Sequence, residues 1–269
     1  MIVVTPTDKW LKTALNECSK SFSVSSPYVG AYLREVVSNL DTDVSITLLT
    51  RTLLTDFASN ASNLDAVCEL ATRTGGILSL SSLHAKVYVI DYKHALITSA
   101  NATFSGMYRN RECGFEITRR KDVDLLHKLI ESGFGTVPKP QIWTVDDLDE
   151  LREPVEQLRA ALPRVAILRE QAIEAPPRVR LQRKRYDRLI ESFSGWLQLT
   201  IDGISRIPSD IFTMNEVVAA CAPLAAAQYP DNRHVREKLR QQMQRLRDLG
   251  LVLFLGNGRY ERLATAQSR

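Results

Sequence analysis

The sequence predicts an α/β domain, a helical connector and a small C-terminal unit in which two helices precede a β-hairpin. Three observations support this prediction. Short β-branched runs alternate with helix-like stretches over the first 120 residues, as in α/β proteins. An acidic segment containing prolines follows at 141–177. The end of the chain combines a helix-capping pattern with a Gly-Asn-Gly turn between apolar runs.

The N-terminal domain is predicted to span residues 1–140. Within it, Leu64, Val67 and Leu70 recur at helical spacing, and Gly75 follows as a stop signal. Glycines and prolines between residues 133 and 140 end the domain. Strands are predicted over 22–29, 44–50, 77–80, 86–90, 95–99 and 114–118, and helices over 30–40, 63–74 and 122–132.

Residues 141–177 are predicted to be an acidic connector, with 8 acidic and 4 basic side chains before Ala175. Its helix, from about 145 to 162, ends before Pro163. Pro176 and Pro177 prevent a continuous helix beyond that point. A basic helix then opens the third region, predicted to span 178–269.

The third region carries the signals of a winged helix-turn-helix. Thr213 and Glu216 form the capping box of a helix that Pro223 kinks or divides. A second helix follows over 234–249, and apolar runs around Gly256-Asn257-Gly258 predict a hairpin. Helix, turn, helix and hairpin in this order place the second helix in the major groove of DNA. Opposite its apolar stripe, that helix carries Arg236, Arg240, Gln244 and Arg247.

The predicted DNA contacts follow from this arrangement. Base contacts are expected from the turn, the second helix and the hairpin. Phosphate contacts are expected from the basic helix, although such a charge run is also typical of a solvated helix face. The predicted residues are Asn232, Arg233, His234, Arg236, Arg240, Gln244, Asn257, Arg259, Arg183, Lys184 and Arg185.

Composition describes an ordinary globular protein, with 269 residues, 44% of them hydrophobic, and a net charge of +4. The longest nearly apolar run, 217–227, is far shorter than the roughly 20 residues that span a bilayer. The N-terminus has no secretory pattern, and the four cysteines have no C-x-x-C spacing. We therefore expect buried thiols, a cytoplasmic location and no membrane partner.

One segment carries catalytic residue types at close spacing. His84 and Lys86 lie two apart in a predicted strand, so both side chains project from one face. A neutral imidazole can attack phosphorus, while Lys86, Ser99 and Asn101 can hold the charge on phosphate oxygens. Glu112 can accept the second ring N–H of the histidine and set its tautomer. On this reasoning the reaction needs no metal ion or other cofactor.

The spacing H-x-K-x4-D-x6-(G)-S-x-N with a downstream N-x-E resembles the phospholipase D superfamily. Thr98 departs from the pattern, because it stands where the family has Gly. The resemblance implies a phospholipase D-like mixed β-sheet flanked by helices, a phosphohistidine intermediate, and a purely structural role for Asp91. The predicted catalytic residues are His84, Lys86, Ser99, Asn101 and Glu112, and the predicted substrate-phosphate contacts are Arg109, Asn110 and Arg111.

The chain holds a single copy of this motif. His94, His127 and His234 have no lysine at the required spacing, and no catalytic role is predicted for them. The resemblance implies two histidines in each site, one of which protonates the leaving oxygen. We therefore predict a homodimer with a composite active site, as in the bacterial endonucleases that single-copy members resemble.

The C-terminal unit resembles the winged helix of adenine-methylation-dependent restriction endonucleases and Dam-replacing proteins. The resemblance rests on Phe212-Thr213, Glu216-Val217, the turn at 230–236, the helix at 238–248 and the hairpin at 254–260. It implies binding of double-stranded DNA that contains N6-methyladenine. Both resemblances together predict a restriction-type endonuclease. The alternatives are a nuclease blind to methylation, a phospholipase or other phosphodiesterase, and a DNA-binding protein with a lapsed nuclease scaffold.

Overall fold

The computed structural model describes residues 1–135, 139–161 and 193–262. The chain divides into two compact units. The first comprises Met1–Thr52 and Asn60–Asp149, and the second comprises Leu53–Ser59 and the described residues from Glu150 onward. The predicted fold class is confirmed, because a mixed sheet with helices precedes a helix-turn-helix with a hairpin.

The first unit is built on one mixed sheet. Its eight strands are β1 (Ile2–Val4), β2 (Ser21–Ser25), β3 (Ser45–Thr50), β4 (Ile77–Ser79), β5 (Val87–Ile90), β6 (His94–Thr98), β7 (Cys113–Ile117) and β8 (Gln141–Trp143). Their order across the sheet is β1-β7-β6-β5-β2-β3-β4-β8. Strands β2, β3 and β4 run parallel, and the other neighbouring pairs are antiparallel. The central strands β2 and β5 are buried at every position, as expected for strands covered on both faces.

Ten α-helices lie in the described part of the chain. They are α1 (Thr7–Leu15), α2 (Ala31–Ser38), α3 (Leu54–Ala58), α4 (Leu64–Thr74), α5 (Arg120–Glu131), α6 (Val145–Asp149), α7 (Arg152–Ala161), α8 (Gly195–Ser205), α9 (Met214–Gln228) and α10 (Val235–Asp248). The side chain of Asn63 caps α4 by accepting from the Ala66 N–H, and Gly75 ends the helix at a φ of 72°. The predicted helix and its stop signal are thus confirmed.

Helix α5 covers part of one face of the sheet. Its buried residues Val123, Leu126 and Ile130 belong to one apolar cluster with Val89 and Ala95 of the strands below. Because 123, 126 and 130 recur at helical spacing, one side of α5 faces the sheet. This agrees with the covering helix that the sequence predicts.

Short edge strands are the main difference from the predicted domain. The sequence does not predict α1, β1 or β8, and a three-residue strand is too short to show an alternating pattern. Strand β8 lies beyond residue 140, where the domain is predicted to end. Its Trp143 pairs with Ile77 of β4 and is 2% exposed. The predicted acidic helix is interrupted, since α6 ends at Asp149 and α7 begins at Arg152.

The second unit contains the predicted helix, turn, helix and hairpin. Strands β9 (Ile211–Thr213), β10 (Val252–Gly256) and β11 (Arg259–Arg262) form a small sheet in the order β10-β11-β9. The capping box is confirmed, because Thr213 Oγ1 accepts from the Glu216 N–H and the Glu216 carboxylate accepts from the Thr213 N–H at 2.7 Å. The core is formed by fully buried residues of α9 and α10, namely Val217, Cys221, Ala225, Leu239, Met243 and Leu246.

Three expectations change in detail. Of the two alternatives for Pro223, division of the helix is wrong, because α9 continues through this residue. Arg247 does not join the exposed basic stripe, since it is buried and donates from Nη2 to the Asp248 carboxylate at 2.6 Å. Not all thiols are buried, because Cys113 is exposed and Cys18 is half-buried. For Arg247, pairing with the adjacent Asp248 overrides what the periodicity alone indicates.

Candidate active site and DNA-binding surface

The predicted nucleophile and its lysine lie just before β5. The prediction that both lie within a strand is wrong, because neither residue has regular secondary structure and β5 begins at Val87. Lys86 is 8% exposed, and its ammonium donates to the His84 carbonyl at 2.9 Å. The His84 imidazole is exposed, and neither ring nitrogen has a hydrogen-bond partner within the described residues. The lysine is therefore held by the fold, while the histidine stays accessible.

Neighbouring charge favours the neutral form of the His84 ring. The positive charge of Lys86, then burial, then the charge of Arg51 lower the pKa of His84 from its ordinary value of 6.5. Burial lowers the pKa of Lys86, and the Glu112 carboxylate opposes that shift. An unprotonated imidazole is the form that can attack phosphorus.

Ser99 and Glu112 form a hydrogen-bonded pair at the adjacent ends of β6 and β7. The Ser99 hydroxyl donates to the Glu112 carboxylate and accepts from the Cys113 N–H at 3.1 Å. The Glu112 N–H donates to Thr5 Oγ1 at 2.7 Å. The expected bond from the His84 ring to Glu112 is not present among the described contacts. In this chain the carboxylate accepts from Ser99 instead.

Asn101 lies beside a π-helical turn at Ser105–Arg109. A β-carbon on Gly106 would lie 2.5 Å from the Asn101 carbonyl oxygen, so only glycine permits this close backbone contact. The Asn101 side-chain oxygen is buried, and it has no hydrogen-bond partner among the described residues. The amide is thus positioned by backbone packing.

Arg51 is a cation of this site that sequence reasoning did not find. It directly follows β3, is 6% exposed, and stacks its guanidinium 4.7 Å from the centre of the Tyr28 ring. Its charge acts on both His84 and Lys86. An arginine at the end of an apolar predicted strand was a usable signal, because a buried charge needs a specific reason.

The predicted substrate contacts, Arg109, Asn110 and Arg111, lie at or near the surface. Arg109 is exposed, with its guanidinium 5.1 Å from the Phe104 ring centre. Arg111 is also exposed, and the backbone of Asn110 is held by Ser105 and Thr5. Within its described part, the structure records no contact between these three side chains and His84. Their role stays a prediction.

Asp91 and Thr98 support the site without entering it. The Asp91 carboxylate accepts from the backbone N–H groups of Ser19, Lys20 and Ser21 at 2.9, 2.7 and 2.9 Å. Burial opposes these bonds, but together they lower the pKa of Asp91. Thr98 pairs across the sheet with Gly114, where a β-carbon would lie 2.7 Å from Thr98 Cβ. A glycine opposite the threonine makes room for this departure from the motif.

The other histidines have separate partners. His94 opens β6 and contacts the Glu116 carboxylate at 3.1 Å, so it lies in the strand rather than in the preceding turn. His127 lies on α5, with Ser23 at 2.9 Å from one ring nitrogen and Tyr92 at 3.0 Å from the other. In the described residues no group of three or more His, Cys, Asp or Glu could hold a metal ion. No helix there is long and apolar enough to cross a membrane.

A family model described as "Cardiolipin synthase, PLD-like domain" matches residues 11–133, which include every predicted catalytic residue. Residues 11–133 form a phospholipase D-like domain. The prediction of a phosphodiesterase-type enzyme is confirmed at the level of this domain. The predicted resemblance to the phospholipase D superfamily is likewise confirmed, whereas the roles of the H-x-K residues stay a prediction.

Several solved structures match about half of the chain or somewhat more. One is Nuc from Salmonella typhimurium, a phospholipase D family member, with 12% identity, a TM-score of 0.45, and coverage of 54% of this chain and 97% of that one. NucT from Helicobacter pylori matches with 11% identity, a TM-score of 0.40 and coverage of 53% and 98%. A phosphatidylserine synthase from Haemophilus influenzae Rd KW20 matches with 15% identity, a TM-score of 0.44 and coverage of 60% and 43%.

A second family model, described as "Dam-replacing HTH domain", matches residues 192–262. This confirms the predicted relation of the C-terminal unit to Dam-replacing proteins. A helix-turn-helix domain beside the phospholipase D-like domain supports DNA as the partner. Residues 192–262 are called the reader domain below.

Most predicted DNA contacts are exposed on the reader domain. Asn232 orders the turn before α10, since its side chain accepts from the His234 N–H at 2.9 Å. Arg236 donates to the Asn215 side chain at 2.9 Å, which links α10 to the start of α9. The remaining exposed candidates are Arg233, His234, Arg240, Gln244, Asn257 and Arg259. Arg183, Lys184 and Arg185 lie outside the described residues.

Proposed function

We propose that this chain is a type II restriction-type endonuclease that hydrolyses DNA phosphodiesters through His84 without a metal ion. The observation that carries the proposal is the pair of buried cations, Lys86 and Arg51, that act on the His84 ring. The non-bridging oxygens of a phosphodiester are negatively charged, and fixed cations stabilise the charge that builds on them during attack. Two such cations can take over the charge neutralisation that metal ions provide in other nucleases.

The proposed reaction has two displacements. A ring nitrogen of His84 attacks phosphorus, and an N–P bond forms as the bond from phosphorus to the leaving nucleotide oxygen breaks. A histidine of a second copy donates a proton to that oxygen. Water then attacks phosphorus and gives a proton to the second histidine, and the N–P bond breaks. This step releases the phosphate end and restores both histidines. Lys86, Arg51 and the Asn101 amide bind the phosphate oxygens, and Glu112 orients the Ser99 hydroxyl.

The second histidine has to come from another chain. The sequence has four histidines, of which His94 contacts Glu116, His127 contacts Ser23 and Tyr92, and His234 belongs to the reader domain. The exposed His84 ring, without a hydrogen-bond partner in the described residues, fits a site that a second copy completes. The proposed enzyme is therefore a homodimer with one composite site, which cuts the two DNA strands in sequence.

The reader domain is proposed to select DNA that contains N6-methyladenine. Its match to a Dam-replacing domain supports this choice. The exposed Arg240, Gln244 and Arg259 are of the residue types that reach base edges and phosphates. A reader blind to methylation would use the same surface, so the two alternatives differ only in substrate preference.

One cleavage experiment tests these claims together. A plasmid prepared in adenine-methylated and unmethylated forms is incubated with the protein in excess EDTA. We expect cutting of the methylated plasmid alone, and His84→Ala should abolish it while His94→Ala should not. Equal cutting of both plasmids would retain the nuclease and remove the methyl reader. Cutting only after a divalent metal is added would contradict the proposed chemistry, and cutting by His84→Ala would contradict the role of His84.

A further inference from the structure

A strip of apolar side chains at one end of the sheet is exposed within the part of the chain that the structure describes. Ile2 of β1 lies opposite Phe115 of β7, and Phe115 lies opposite Ile97 of β6. Their exposed fractions are 70%, 58% and 44%, and Val4 on the same side of β1 is 59% exposed. Adjacent exposed apolar side chains on a sheet mark an interaction surface more often than a bare monomer surface. Ile2, Val4, Ile97 and Phe115 are called the strip.

The strip continues a face that is already partly packed. Ala95 and Ile117 lie two residues along their strands from Ile97 and Phe115, so they share this face. Both pack in the apolar cluster beneath α5, and Ala95 is fully buried there. Helix α5 thus covers one end of the face, and the described residues leave the other end uncovered.

The strip is poorly suited to DNA. The positions that share its face are Ile2 and Val4 on β1, Cys113, Phe115 and Ile117 on β7, and Ala95, Ile97 and Ser99 at β6, and none of them is charged. Binding to a DNA backbone depends on Lys and Arg side chains. Depletion of charge is instead typical of the centre of an interface between protein chains.

The strip also adjoins the candidate active site. Ser99 lies two residues beyond Ile97, and its N–H donates to the Cys113 carbonyl at 3.0 Å. Glu112, which accepts from the Ser99 hydroxyl, is the residue before Cys113. The strip and the Ser99–Glu112 pair are therefore at the same end of β6 and β7.

We propose that a second copy of this chain docks on the strip about a twofold axis. This inference rests on the proposed function, because a site with one histidine is incomplete without the second copy. A twofold contact uses the same surface on both chains. A strip beside Ser99 and Glu112 therefore brings the two half-sites next to each other, with the apolar residues at the centre of the interface.

Sedimentation velocity of the full chain tests the surface. Wild-type protein should sediment as a dimer, and Phe115→Lys should sediment as a monomer, with a dissociation constant raised at least about 100-fold. The matched control is Ile142→Lys on β8, at the opposite edge of the sheet, where Ile142 is also 70% exposed. It should remain a dimer. Ile97→Lys provides a second disruption, and thermal melting confirms that each variant is folded.

A mixing experiment links the surface to the site. A fourfold excess of His84→Ala subunits, after exchange, should reduce wild-type cleavage about fivefold, because random pairing leaves few dimers with two histidines. The double variant with His84→Ala and Phe115→Lys should not inhibit. Inhibition by the double variant would overturn the strip as the docking surface.

The outcomes separate this inference from the proposed function. A Phe115→Lys protein that remains dimeric overturns the strip and leaves the nuclease intact. A wild-type dimer that Phe115→Lys dissociates supports the strip even if no DNA is cleaved, in which case the proposed function alone fails. A wild-type monomer overturns the inference. Binding of that monomer to phosphatidylglycerol vesicles, lost in Phe115→Lys, would then assign the strip to a membrane surface.

Discussion

Lys86 and Arg240 are both cations with a predicted role in binding DNA, and they differ in burial and in hydrogen bonding. Lys86 is 8% exposed and bonded to a backbone carbonyl of its own domain, whereas Arg240 is exposed on α10. The same contrast separates Arg51, which is stacked on Tyr28, from Arg259 on the exposed hairpin. The phospholipase D-like domain orders its charges before substrate arrives, and the reader domain leaves them in water.

This difference matches the two proposed roles of the cations, catalysis and DNA binding. Charges that stabilise a transition state act best when they are already in place and partly desolvated, because no reorganisation is then needed during reaction. Surface cations gain their binding energy by releasing counterions from DNA, which requires access to phosphates and depends on salt. Substitutions in the two domains should therefore change different measurements.

The largest effect is expected for His84→Ala. Loss of the nucleophile should reduce single-turnover cleavage at saturating protein by at least about 10⁴-fold. Binding of the same DNA should stay within about twofold, because the reader domain supplies the affinity. His94→Ala, at a histidine bonded to Glu116, is the control and should retain cleavage. A loss of DNA binding as large as the loss of cleavage in His84→Ala would show that binding and catalysis are not separated between the two domains.

The second prediction concerns the cation that the sequence motif does not contain. Arg51→Leu should reduce the cleavage rate by about 10²- to 10³-fold, the usual cost of removing one group that stabilises developing charge. DNA affinity should change little. Arg120→Leu is the control, since Arg120 is a strongly exposed arginine on α5 of the same domain. Rates that are equal in the two variants would exclude Arg51 from the site.

Distance along the chain explains why the motif is predicted from the sequence and Arg51 is not. His84, Lys86, Ser99, Asn101 and Glu112 lie within one hairpin-rich stretch, so their spacing in sequence reports their spacing in the fold. Arg51 directly follows β3, and a single strand, β2, lies between β3 and β5 in the sheet. This strand order brings Arg51 to the site. An arginine directly after an apolar strand is a local signal that Arg51 is unusual, but the strand order that brings it to this site is a tertiary property that no local pattern encodes.

Two other differences have local causes. The bond between Ser99 and Glu112 depends on the register of β6 against β7, which sequence spacing does not specify. Arg247 falls on the polar side of the predicted stripe, but its pairing with the adjacent Asp248 takes it into the interior. Periodicity identifies the helix and its apolar face, and it does not show which polar residues find buried partners.

The third prediction moves to the reader domain. Arg240→Ala should weaken DNA binding about tenfold and lower the dependence of affinity on salt by about one released ion. Cleavage of saturated DNA should be unchanged. The control is Arg206→Ala, because Arg206 is exposed at the end of α8, pairs with Asp202 and is not among the predicted contacts. A filter-binding series over several salt concentrations measures both quantities. An unchanged salt slope would remove Arg240 from the DNA contacts.

The smallest expected effect is a shift in pH dependence, which tests the ordered charges most directly. Because Lys86, burial and Arg51 lower the pKa of His84, the acid limb of kcat/KM should lie below the ordinary value of 6.5. Arg51→Leu removes one of these cations, so the pKa of His84 should rise and the limb should move to higher pH. Lys86→Met should move it further, since Lys86 is the largest cause of the shift. Arg120→Leu should leave the limb in place. An acid limb that stays fixed in both active-site variants would mean that a group other than His84 controls the rate in acid. The ordered cations would then have no demonstrated effect on catalysis.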